Sequence, residues 1–316
     1  MPLPSDERLL ALANDLLAQF DQIFGMHPGF RPAHAKGVML KGTFTPAAGV
    51  SELTRAPHTE REVPVVVRFS NSTGLPMVPD TDPNADPRGM AIRFYLAEHV
   101  HTDIVAHSTD GFPTRTGDEF LELLRALAAS DLNAPSDPAK PKPIEAFLGS
   151  HPAALRFVQT PKPAPSSFAR EAYFGVTAME FINAREQRQF GRYRIVPDAG
   201  VDHLDAASVK AKGQNYLFEE IAGWVKQGPI AFQIRVQLAN AGDVADDATV
   251  HWPDDRKVVD FGSLKLTELV ADGEAEQKKI IFDPIPRVDG IEPSADPLLE
   301  LRAAIYLMSG RRRRSA

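Results

Sequence analysis

Apolar residues recur at three- and four-residue intervals along the first stretch of the chain. Leu9, Leu10, Ala13, Leu16, Leu17, Phe20 and Phe24 share one face until Gly25 interrupts them. With Ser5, Asp6 and Glu7 ahead of them, this pattern predicts an amphipathic helix over about residues 5–24, packed on the main body. The period then shortens. Between Ala35 and Tyr95, β-type runs, notably Val63–Ser70 and Met90–Tyr95, are separated by Pro, Asp, Asn and Gly turns, which predicts neighbouring strands. Phe120, Leu123, Leu124 and Leu127 predict a helix over about Asp118–Ala129, and the proline-rich stretch Ala134–Pro165 predicts loops around a short helix. Further strands are expected at Ala178–Ile182, Arg192–Val196, Ile230–Leu238 and from Lys257 through Gly262 onward. A last helix is expected over about residues 297–309, followed by a basic tail at 310–316.

No repeat, low-complexity linker or composition break divides the 316 residues, so the expectation is one α+β domain spanning 1–316. Many strand-length runs between loops, with helices at the ends and in a central block, suit a closed antiparallel β-barrel with helices packed outside it. A content of 43% hydrophobic and 24% charged residues is globular. The net charge of −7 argues against a general nucleic-acid surface. The run Arg311–Arg314 is the local exception and reads as a solvated tail. The chain has no cysteine, which removes disulfides, thiolate ligands, Cys-based zinc sites and cysteine nucleophiles, so any redox chemistry must come from a cofactor. There is no signal-peptide pattern and no apolar stretch long enough to span a membrane, so the expectation is a cytoplasmic protein without membrane partners.

Candidate chemistry gathers in a few short segments. Near the C-terminus, the run from Gly290 to Tyr306 places Arg302 and Tyr306 four residues apart, on one face of a helix. A guanidinium against a phenol favours the phenolate, the form in which tyrosine ligates ferric haem. Near the N-terminus, Phe30 to Gly37 holds Arg31 and His34 in an R-x-x-H-A-K-G setting. Arg68 and Ser70 are two apart on a predicted strand and so face the same side. Asp86–Tyr95 reads as a turn feeding a strand, and weaker motifs occur at Phe181–Ala184, Tyr193–Gly200 and Val250–Pro253.

Taken in order, these segments resemble the haem catalases over nearly the whole chain. The proximal run resembles their G-I-E-P-S turn and R-x-x-x-Y pair, His34 their distal histidine in H-A-K-G, Arg68 to Ser70 their R-F-S element, and Asp86–Tyr95 their R-D-P-R-G strand. The resemblance implies haem b buried between a barrel and the C-terminal helix, with Tyr306 as the iron ligand and Arg302 beside it. Arg31 and Arg68 would pair with propionates, since planar guanidinium forks suit carboxylates. His34 would act as the distal acid-base, with Ser70 orienting it. The chain carries no extensions like those of large catalases, so it looks like the short catalase-related peroxidases, and a homodimer is expected.

One departure touches the chemistry. Where catalases read G-N-N-T-P-x-F-F, with the first asparagine as the second distal polar group, this chain reads Ala106-His107-Ser108-Thr109-Asp110-Gly111-Phe112. His107 falls on the asparagine position and Ser108 beside it, and either could supply the missing donor; Phe112 falls near a haem-stacking phenylalanine. The implied activity is reduction of hydrogen peroxide or organic hydroperoxides by an organic electron donor, with weak catalase activity beside it. The alternatives are isomerisation of fatty-acid hydroperoxides, as in catalase-related allene oxide synthases, and a haem-binding or haem-sensing protein without turnover. No motif argues for bound NADPH.

Overall fold

The computed structural model describes residues 3–316. The first helix, α1 (Glu7–Phe24), is capped by Asp6, whose carboxylate accepts the backbone N–H groups of Arg8 and Leu9, and it ends at Gly25. Four strands follow: β1 (Gly37–Pro46), β2 (Val63–Ser70), β3 (Gly89–Ala97) and β4 (Val100–His107). They form an antiparallel meander, with β1 on β2, β2 on β3 and β3 on β4. After α2 (Gly117–Ala128), α3 (Pro143–Ser150) and α4 (Pro152–Gln159) come β5 (Tyr173–Phe174), β6 (Met179–Ile182) and β7 (Arg188–Pro197). Then α5 (Ala206–Lys210), α6 (Tyr216–Gln227), β8 (Ile230–Leu238), β9 (Val258–Leu269), α7 (Gly273–Lys279), β10 (Ile291–Pro293) and α8 (Leu298–Arg314) complete the described chain.

Strand β9 pairs with both β1 and β8, and β8 pairs in turn with β7, which closes β1–β5 and β7–β9 into an eight-stranded antiparallel barrel. The short β6 and β10 extend one end of β7. Closure leaves the barrel no free edge, and its interior is filled by Phe44, Phe69, Phe94, Phe232, Phe261 and the aliphatic residues alternating with them. Outside the barrel, Ala13 and Leu16 of α1, Leu121 and Leu124 of α2, and Leu301 and Ala304 of α8 share a second apolar cluster. That cluster fixes α8 against α1 and α2, while Leu299 and Ala303 of α8 join the barrel cluster.

The expected elements are present; the short β5, α5, α7 and β10 were not expected, and three further differences stand out. The proline-rich stretch contains two helices, α3 and α4, because prolines stand at the first turn of each, where a missing N–H costs nothing. Helix α6 was not expected, although Leu217, Ile221 and Val225 stand at four-residue spacing and are buried. The last helix does not stop near 309. It runs through the arginine run to Arg314, so the reading of 311–314 as a solvated tail is corrected. Arg313 is buried and donates to the Ser309 hydroxyl and the Ile280 carbonyl, while Arg312 pairs with Asp21 of α1. Arginine is a good helix former, and each of these guanidiniums finds an acceptor on a neighbouring element.

Candidate functional site

The outer face of β2–β4 is built from cross-strand rows. Ser70, Gly89 and His107 are in register across the three strands, and so are Arg68, Ala91 and Val105. Glycine and alanine at the centre of these rows leave a flat floor. His34, just before β1, has a left-handed backbone (φ 54°), a region costly for a residue with a side chain. Its ring lies over Gly89, where a Cβ would stand 2.8 Å from His34 Nδ1 and 2.5 Å from Ser70 Oγ. His34 Nδ1 and Ser70 Oγ are hydrogen-bonded at 3.1 Å. The turn below is held by Arg88, which is fully buried, pairs with Asp86 and donates to Asn71 Oδ1 at 2.6 Å. Lys36 completes it with an ion pair to buried Asp80 at 2.7 Å.

Burial first, and then the Arg68 and Arg31 guanidiniums, hold the His34 imidazole down to about 4; burial and the neighbouring His34 take His107 down to about 3. Both rings are therefore neutral near pH 7. Facing them, Arg302 and Tyr306 lie one turn apart on α8, with Arg302 Nε donating to Tyr306 Oη at 3.3 Å. Arg302 acts electrostatically on His34 and His107, and Tyr306 on Arg31. The two sides thus border one space. Arg31, His34, Ala91, Val105, His107, Arg302 and Tyr306 all keep part of their surface uncovered.

Three guanidiniums meet at one end of this space without a carboxylate between them. Arg31 donates to the carbonyls of Gln277 and Ile280, and Arg68 to Gln277 Oε1 and the carbonyls of His34 and Ala35. Arg313 reaches Ile280 O and Ser309 Oγ, and its Nε has no partner. Burial, reinforced by mutual repulsion, pulls Arg31 well below the usual arginine range and Arg68 to about 9; burial and Arg314 take Arg313 to about 10. Buried cations this costly call for an anionic ligand. Gly37 makes room for Arg68, since a Cβ there would overlap its guanidinium.

Of the remaining expected site residues, Ser108 is turned to main chain: its Oγ accepts the Arg88 N–H at 2.9 Å. Phe112 packs 5.2 Å from Phe120 of α2 and against Leu298, the first residue of α8. Arg313 is absent from the sequence-based expectation. Its signal was there, because it stands seven residues after Tyr306 and so on the same helical face, but the flanking arginines masked it.

A family model described as catalase matches residues 17–316. This chain belongs to the catalase family. It is 33% identical over 289 residues to a catalase-related peroxidase of Mycolicibacterium paratuberculosis, covering 90% of this chain and 89% of that one. A catalase-related peroxidase of Synechococcus elongatus is 31% identical, with 94% and 87% covered. These matches place the chain in the short catalase-related branch. Among solved structures, a bacterial catalase has a TM-score of 0.76 at 25% identity and a fungal catalase 0.78 at 21%; the chain spans 62% and 64% of their lengths, and the fungal likeness bears on the fold alone. Membership in the catalase family implies a haem cofactor. The residues fit one: Gly89 and Ala91 leave a flat floor, the neighbouring Arg31, Arg68 and Arg313 guanidiniums suit two propionates, and Tyr306 stands on the facing helix. Among the described residues no helix is long and apolar enough to cross a membrane.

Proposed function

We propose that this protein is a peroxidase dependent on haem b, reducing hydrogen peroxide or organic hydroperoxides with an organic electron donor, with weak catalase activity beside it. The observation that carries this reading is the Ser70-anchored imidazole of His34, held neutral by burial, opposite Arg302 and Tyr306 and beside the Arg31, Arg68 and Arg313 guanidiniums. Arg31, Arg68 and Arg313 would hold the propionates, and Tyr306, with the Arg302 guanidinium hydrogen-bonded to its Oη, would supply the iron ligand. When bound, haem would supply the redox chemistry, two electrons for the peroxide O–O bond that the organic donor restores. His34 takes the proton from one peroxide oxygen and returns it to the other, so that the second oxygen leaves as water or an alcohol. Ser70 Oγ fixes Nδ1 and thereby keeps the remaining ring nitrogen directed at the proton it moves. The surrounding protein keeps that ring neutral and ready to accept.

Stopped-flow absorbance of the haem-loaded protein mixed with peroxide, with and without an organic reductant and with oxygen release followed, tests the proposal. Consumption of peroxide that depends on the reductant is expected. Rapid oxygen evolution without a reductant would make catalase chemistry the main activity, and release of an allene oxide from a fatty-acid hydroperoxide would favour the isomerase. No observation favours the isomerase or a non-catalytic sensor.

A further inference from the structure

The row Ser70, Gly89, His107 crosses three adjacent strands. Strands lie about 4.8 Å apart, so the outer two side chains bracket a gap that only a side chain on the central strand would fill. That central residue is Gly89, and the His34 ring occupies its place. His34 is thus flanked by Ser70 on one side and His107 on the other. Ser108 is committed to the Arg88 main chain, accepting its N–H at 2.9 Å and donating its own N–H to Arg88 O at 2.8 Å.

The bonding of His107 fixes its tautomer. Its Nδ1 accepts the Thr109 backbone N–H at 3.3 Å, and a neutral imidazole whose Nδ1 is an acceptor carries its proton on Nε2. We propose that His107 is the second distal hydrogen-bond donor, its Nε2–H standing in for the asparagine N–H of the larger catalases. This rests on the peroxidase reading only in taking the bound substrate to be a peroxide. The two imidazoles then divide the work: His34 accepts and returns a proton, and His107 holds the peroxide oxygen through a hydrogen bond without releasing its own. An amide donates whatever its surroundings, whereas His107 donates only while Thr109 N–H occupies Nδ1, so the Thr109 main chain becomes part of the site.

The test combines kinetics with tautomer measurement. In the haem-loaded protein, His107→Leu removes the donor and should lower the second-order rate with peroxide on the order of 100-fold, as loss of one preorganised donor does. His107→Gln restores an N–H and should recover to within roughly tenfold of wild type. Separately, long-range 1H–15N spectra of 15N-histidine-labelled protein at pH 7, with the signal assigned by its loss in His107→Gln, should show Nε2 protonated and Nδ1 bare. A His107→Leu variant as fast as wild type, or an Nδ1–H tautomer, would overturn the assignment. Failure of the wild-type protein to cleave peroxide would overturn the peroxidase reading itself, and wild-type cleavage with an unchanged Leu variant would overturn only the role of His107.

Discussion

His34 Nδ1 lies 3.1 Å from Ser70 Oγ across 36 residues of sequence, and the contact exists because Gly89 between them has no side chain. Gly89→Ala puts a methyl group within 2.8 Å of Nδ1 and 2.5 Å of Oγ, so the ring must move. The expected outcome is a fall of more than about tenfold in the peroxide rate constant, with haem still bound and a stability cost of about 1–3 kcal/mol from overpacking. Ser70→Ala removes only a neutral hydrogen bond worth about 1 kcal/mol and should cost about fivefold. If Gly89→Ala were the milder of the two, the ring would not lie over the glycine.

His34→Ala should leave haem bound while lowering the peroxide rate by roughly 10²–10⁴, the range general acid-base groups supply. Because the ring is held to about 4, it stays unprotonated above that value. The wild-type rate constant should therefore be flat from about pH 5 to 8 and fall as the pH drops through about 4. A midpoint near 6.5 in stopped-flow profiles would mean that burial does not control this histidine.

The arginine cluster predicts opposite effects on cofactor affinity and on the haem-free fold. Arg313→Met removes a charge-assisted contact worth about 1.5–3 kcal/mol and should weaken haem binding by roughly 10- to 100-fold in titrations. The haem-free variant should be no less stable than wild type, since a buried cation without a carboxylate partner has gone. Unchanged haem affinity would remove Arg313 from the site.

Acid sensitivity should depend strongly on His58, which sits among Phe44, Phe94 and Phe261 with no partner for Nδ1. Burial holds it at about 4, below the ordinary value of 6.5. Between those values the unfolded chain binds more protons than the native one, so stability rises with pH across that window. Acidification from about 6.5 toward about 4 removes on the order of 1.4 kcal/mol per pH unit for such a histidine, and below about 4 the loss is complete. His58→Leu should shrink the difference between urea unfolding at pH 5 and pH 7 by its share, the rest coming from His34 and His107, which are held down in the same way. An equal pH difference in wild type and variant would place the acid-sensitive group elsewhere.

Elements whose signals are local were legible along the chain. The helical period before Gly25, the β-runs at Val63–Ser70 and Met90–Tyr95, and the Arg302–Tyr306 spacing all reflect residues a turn or a strand pleat apart, which the backbone period alone brings onto one face. The ordered motifs also carried the catalase likeness. How distant segments meet was set by packing. Barrel register set Ser70, Gly89 and His107 in one row and turned Ser108 to Arg88, a choice between neighbouring residues that composition does not reveal. The arginine run looked like a solvated tail because burial of Arg313 depends on the Ile280 carbonyl, 33 residues away and brought alongside α8 by the segment after β9. Periodicity records which way a residue faces along its own element, and what lies opposite that face is fixed only when the barrel closes and the helices pack.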